Sequence, residues 1–227
     1  MQRRRLLIAS IASTALVLGG GAAYAILPKH FARIAACESI RAVIDERGDV
    51  VHAQDGGTHV FVLGDSYTSG DTLEERTDAW VYQLPASLDW SIDFSGVGMT
   101  GFTNGGYCED GSYPDRLASL TIPEASLFVI EGGLNDTAVS EEELRAGLAD
   151  TLRAVPAGMP VVIIGPVAAP NSPNAPKVDR ILADEATELG ATYVSAINWD
   201  LEFGPDGLHL TPAGHSAYAR QLSAALA

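Results

Sequence analysis

Apolar runs near residues 59–64, 90–95, 126–131, 160–165 and 191–195 are each closed off by glycine, proline or polar clusters, and this spacing predicts five strands. Between or after them, apolar positions recur with helical period near 77–86, 141–155, 175–189 and 212–226. Ser126-Leu127-Phe128-Val129-Ile130 and Pro160-Val161-Val162-Ile163-Ile164 are continuously apolar, the pattern of parallel strands covered on both faces. Ser140 followed by Glu141, Glu142 and Glu143 starts the 141–155 helix with a capping box. A further helix is predicted over 31–47 and a loop over 48–57. Strand and helix therefore alternate, which predicts an α/β fold around a parallel sheet.

The chain has 227 residues, the size of one ordinary catalytic domain. Its first residues differ from the rest: Arg3, Arg4 and Arg5 precede an apolar stretch from Leu6 to about Leu27 that carries no charge. That stretch reads as a signal peptide, because Ala23-Tyr24-Ala25 has the small-x-small form of a cleavage site, or as an N-terminal membrane anchor, because it is long enough to span ~30 Å of hydrocarbon. Either way the arginines stay in the cytoplasm and the chain beyond Pro28 is extracytoplasmic, secreted or anchored through residues 6–27. The organisation expected is a leader over 1–27, an N-terminal helix and loop over 28–58, and a catalytic domain over 59–227.

The formal net charge is −15. Removing residues 1–25 takes away three arginines and no acid, so that 11 basic residues face 29 acidic ones and the charge becomes −18. So acidic a chain lacks the clustered Lys and Arg that bind phosphates, and no nucleic-acid partner is expected. Two cysteines, Cys37 and Cys108, invite a disulfide in an oxidising compartment. Ile34-Ala35-Ala36-Cys37 has the form of a lipoprotein box, but Pro28, Lys29, His30 and Arg33 separate it from the apolar run.

The candidate chemistry lies just beyond the strand ends. Gly64-Asp65-Ser66 closes the first run and puts a serine where a nucleophile stands in an open parallel sheet, although the tripeptide is also ordinary turn chemistry. Ser95-Gly96-Val97-Gly98-Met99-Thr100-Gly101 follows the second strand, where a glycine backbone can come close to a ligand and offer its N–H. Gly98 is the preferred donor, with Gly96 and Gly101 as alternatives. Gly133-Leu134-Asn135-Asp136 follows the third strand, so the Asn135 amide can donate to a developing oxyanion at the same edge. Near the C-terminus, Asp206-Gly207-Leu208-His209 spaces an acid and a base three apart. Asp206 can accept from the His209 Nδ1–H and leave Nε2 to take the Ser66 proton. His215 is the rival base, one turn into the last helix. No Gly-Lys-Ser/Thr ending and no zinc spacing occurs, so neither cofactor nor metal is expected.

Taken in order, Gly64-Asp65-Ser66, Gly98, Gly133-Leu134-Asn135-Asp136 and Asp206-Gly207-Leu208-His209 resemble the four blocks of the SGNH hydrolases, the GDSL esterase/lipase superfamily. The first block departs from the usual pattern only at Tyr67, where leucine is frequent. The resemblance implies a three-layer α/β/α sandwich with a flavodoxin-like five-stranded parallel sheet. It implies Ser66 as nucleophile, His209 as base, Asp206 as its orienting partner, and an oxyanion hole built from the Ser66 N–H, the Gly98 N–H and the Asn135 side chain.

The function expected is that of a monomeric, exported serine esterase working through an acyl-enzyme. Its substrate would be an ester of a small molecule, a lipid or an acylated cell-envelope carbohydrate. The competing readings are an acyltransferase using the same acyl-enzyme and a non-catalytic surface binding module. The proline-rich passage over 166–176 follows a strand end and should overhang the crevice.

Overall fold

The computed structural model describes residues 30–84 and 88–226. The predicted leader over 1–27 lies outside the described residues. The chain divides into two compact units, Met1–Val43 and Ile44–Ala227, and the whole sheet belongs to the second. A helix, α1, runs over 30–47.

Beyond it come six strands: β1 (Val51–Gln54), β2 (Thr58–Gly64), β3 (Trp90–Gly96), β4 (Leu127–Glu131), β5 (Val161–Ile164) and β6 (Thr192–Val194). They lie in the order β1-β3-β2-β4-β5-β6, and every pairing is parallel except that of β1 with β3. The five expected strands thus form the parallel sheet, and β1 adds an antiparallel edge inside the predicted 48–57 loop. β1 has only four residues and a register shift between His52 and Gln54, so it shows no alternation long enough to read from sequence.

The chain crosses the sheet through α3 (Tyr113–Ser119), α4 (Glu141–Ala154), α5 (Ala175–Glu188) and α6 (Pro212–Leu226), with a one-turn helix α2 (Ser66–Ser69) directly after β2. The capping box of α4 is made: Ser140 Oγ accepts from Glu143 N at 3.2 Å, and Ser140 N donates to Glu143 Oε2 at 2.9 Å. Alternate residues of β2 feed two cores. Val60 and Val62 pack on one face with Tyr218, Ala219 and Leu222 of α6. Phe61 and Leu63 pack on the other with Leu144 and Leu148 of α4 and Ile181 and Leu182 of α5. Helices cover both faces, which gives the three layers.

Over the described residues 77–84 the helix expected at 77–86 is not formed, and residues 85 and 86 of that expectation lie outside the described residues. Two 3₁₀ turns, Arg76–Asp78 and Trp80–Tyr82, stand there instead, separated by Ala79 in an extended conformation. Burial of Ala79, Trp80 and Val81 in the core overrides the helical period, and the freed Trp80 N–H donates to His215 Nδ1 at 3.3 Å. Among the described residues neither cysteine is a free thiol: Cys37 and Cys108 are both disulfide-bonded.

Candidate active site

The strand order reverses direction between β2 and β4, so the loops leaving these neighbours diverge and open a crevice at their carboxyl ends. Ser66, Gly98 and Asn135 all stand beyond that edge, after β2, β3 and β4.

Asp65 caps α2, its side chain accepting from Tyr67 N at 3.0 Å, and half-buried Ser66 is the first residue of the turn. Gly64 lets the turn sit down on the strand end: a Cβ there would lie 2.0 Å from Thr68 Oγ1 and 2.8 Å from Glu131 Oε2. Gly98 comes against the turn from β3. A Cβ at Gly98 would lie 3.7 Å from the Ser66 Cβ and 2.0 Å from Asp71 Oδ2, at the tip of that side chain, so the Gly98 backbone stands close beside the nucleophile. Of its alternatives, Gly101 has its N–H committed to Asn104 O at 2.9 Å, and Gly96 pairs with Gly64 inside the sheet. The residue after Gly98, Met99, has φ 65 and an exposed side chain.

Asn135 lies in a 3₁₀ turn, Leu134–Asp136, after β4. Its Nδ2 donates to Thr100 O at 2.9 Å and to Asp65 Oδ2 at 3.2 Å. The next residue, Asp136, is buried and gathers the loop beyond Gly98. It accepts from Phe102 N at 3.1 Å, Thr103 N at 2.8 Å and Thr103 Oγ1 at 2.7 Å.

Asp206 and His209 share the loop before α6, where Asp206 Oδ2 stands 2.6 Å from His209 Nδ1. Asp206 Oδ1 accepts from the backbone N–H groups of Leu208 and His209, both at 3.0 Å, so the loop folds around its own carboxylate. The His209 hydrogen bond, reinforced by the Leu208 N–H, holds the Asp206 carboxyl down at about 2. This loop meets the serine turn through Tyr67, whose hydroxyl donates to Leu208 O at 2.5 Å and whose ring centre lies 6.4 Å from that of His209. From the proline-rich loop, Asn171 N donates to Gly207 O at 2.9 Å and Asn171 Nδ2 to Asp206 O. That passage therefore clamps the acid–base loop.

His215 does not join this group. Its side chain is 1 % exposed, it accepts from Trp80 N, and burial lowers its pKa to about 4. It is a core residue.

Two buried charged residues beneath the site, Glu131 and Arg116, escape sequence reading, and they lie against Asp65 of the Gly64-Asp65-Ser66 block. Glu131 Oε2 accepts from Thr68 Oγ1 at 2.8 Å and from Asp65 N at 3.4 Å, and burial raises its carboxyl to about 7. Asp65 is also raised, first by burial and then by the Glu131 charge. Arg116 of α3 donates to Gly64 O at 2.8 Å, Thr100 Oγ1 at 3.0 Å and Ser95 O at 2.6 Å, tying together the ends of β2 and β3. Only Glu131 left a trace, as a lone acid closing an apolar run; Arg116 left none. Among the described residues no group of three or more His, Cys, Asp or Glu side chains could hold a metal.

A family model described as "GDSL-like Lipase/Acylhydrolase family" matches residues 62–217. No curated protein matches the chain by sequence. Among solved structures, a carbohydrate acetylesterase from Sinorhizobium meliloti superposes with a TM-score of 0.60 at 18% identity, over 75% of this chain and 98% of its own. The aryl esterase of M. smegmatis gives 0.59 at 18% identity, over 75% and 98%. A salicylyl-acyltransferase from a tetracycline biosynthetic pathway gives 0.55 at 17% identity, over 78% of this chain and 56% of its own. At these identities the likeness is one of fold.

Proposed function

Because the chain belongs to the GDSL-like lipase/acylhydrolase family, we propose that it is an exported serine esterase that opens carboxylic esters through an acyl-enzyme on Ser66. The observation that carries this reading is the 2.6 Å hydrogen bond between Asp206 and His209, on a loop that Tyr67 joins to the serine turn. An ionised Asp206 keeps the proton on His209 Nδ1, which leaves Nε2 as the basic nitrogen.

In the reaction His209 Nε2 takes the Ser66 hydroxyl proton while Ser66 Oγ bonds to the ester carbonyl carbon. The negative charge that develops on the carbonyl oxygen is met by the Ser66 N–H, the Gly98 N–H and the Asn135 amide. Collapse of the tetrahedral adduct breaks the bond to the alcohol oxygen, and the imidazolium returns its proton to that leaving group. Water, activated by the same nitrogen, then repeats the cycle on the acyl-enzyme and frees the acid. The arginines ahead of the apolar stretch support export, and so does the bonded state of both cysteines.

The test is labelling by a serine-directed fluorophosphonate together with turnover of a short p-nitrophenyl ester. Wild type should be labelled at Ser66 and should hydrolyse the ester; Ser66→Ala should do neither while melting at an unchanged temperature. Turnover retained in Ser66→Ala sinks the assignment. Products formed with excess glycerol separate hydrolysis, which yields free acid, from acyl transfer, which yields a new ester.

A further inference from the structure

The Asn135 amide has two hydrogens, and both are in use: one reaches Thr100 O at 2.9 Å and the other Asp65 Oδ2 at 3.2 Å. An oxyanion donor in this state has to surrender a bond before it can act. The longer of the two leads to a side chain whose other oxygen accepts from Tyr67 N, the amide of the peptide that leaves Ser66. One buried carboxyl group thus bridges the nucleophile turn and the oxyanion donor.

On the reading that Ser66 is the nucleophile and Asn135 an oxyanion donor, we propose that Asp65 is a positioning residue for acyl transfer: its carboxyl aligns the Asn135 amide with the Ser66 turn and yields that hydrogen bond to the oxyanion as it forms. The exchange trades one oxygen acceptor for another of higher charge density, so the donor is preorganised at rest and strengthened in the transition state. Asp65 is 1 % exposed, and no water need be displaced to make the switch. The Thr100 O bond stays in place as the pivot of the amide.

Asparagine at this position has the same shape but one acceptor where a carboxyl has two. If its oxygen serves the Tyr67 N–H, its NH₂ faces the Asn135 NH₂, and the Asn135 amide must turn away or flip. Serine at the same position keeps a capping oxygen for Tyr67 N but is too short to reach Asn135.

A double-mutant cycle in the full chain tests the proposal, with kcat and KM measured separately on a p-nitrophenyl ester and folding followed by thermal melting. Asn135→Ala should lower kcat about 10²-fold. Asp65→Asn alone should lower kcat about tenfold with KM nearly unchanged. In the Asn135→Ala background the same change should cost less than about twofold, because the group through which Asp65 acts is gone. Asp65→Ser, run through the same cycle, should behave alike and takes over if Asp65→Asn does not fold. Equal losses in both backgrounds would overturn the proposal, since Asp65 would then act on the turn or the fold alone. An unchanged kcat in Asn135→Ala would instead overturn the oxyanion reading on which it rests.

Discussion

Replacing Glu131 by glutamine removes a buried charge from beneath the serine turn and leaves its shape. The glutamine carbonyl oxygen can accept from Thr68 Oγ1 and Asp65 N as Glu131 Oε2 does at 2.8 and 3.4 Å. What changes is the titration. Burial raises the carboxyl from 4.5 to about 7 in the folded chain, so folded Glu131 holds its proton over a range where the unfolded chain has released it. A raised pKa contributes stability that is fully present below pH 4.5 and is lost as pH rises through about 7. Over that window the loss is roughly 3 kcal/mol at about 1.4 kcal/mol per pKa unit. For a domain of this size it corresponds to about 6–12 °C in Tm. Glu131→Gln has no such group to titrate. Melting curves followed by circular dichroism at fixed ionic strength from pH 4.5 to 8.5 should converge for the two proteins in acid, with the variant more stable by that margin at pH 8. Titrations remote from Glu131 are shared and cancel in the difference, while Asp65, raised in part by the Glu131 charge, comes down in the variant and moves the difference in the same direction. Parallel curves across the range, or a variant less stable at pH 8, would refute the reasoning.

The two histidines separate base from core. His209→Ala should lose about 10³-fold in kcat with little change in Tm. His215→Ala should lower stability by about 2–4 kcal/mol, because it leaves a void and an unpaired Trp80 N–H, while the folded enzyme keeps most of its kcat; the reverse pattern would assign the base to His215. Asp206→Asn should cost about 10²-fold in kcat, below the value for a buried triad acid because this carboxylate is 45% exposed. Since Asp206 is held at about 2, the acid limb of kcat/KM should fall well above pH 3; a limb centred near pH 2–3 would contradict the assignment.

Much of the architecture was legible because its causes are local. A covered parallel strand needs a run of apolar residues, and Leu127–Glu131 and Val161–Ile164 announce themselves by it. The capping box of α4 depends on residues three apart. The Asp206 and His209 pairing is likewise contained in one short loop. β1 and the two 3₁₀ turns were not legible, because the edge pairing with β3 and the burial of Trp80 are decided by partners distant in the chain.

Sequence by itself determined the alternation of strands and helices, and the small set of side chains able to do acyl chemistry at the strand ends, because periodicity and motif spacing are properties of neighbouring residues. Only the tertiary structure decided which glycine abuts Ser66, which histidine is buried, and what lies beneath the nucleophile. Those answers come from contacts such as Asn135 to Asp65, Glu131 to Thr68 and Arg116 to Gly64, which span 52 to 70 residues. No local pattern encodes such contacts. They exist because parallel strands bring their carboxyl ends to one edge, where the charges that support the site are buried together.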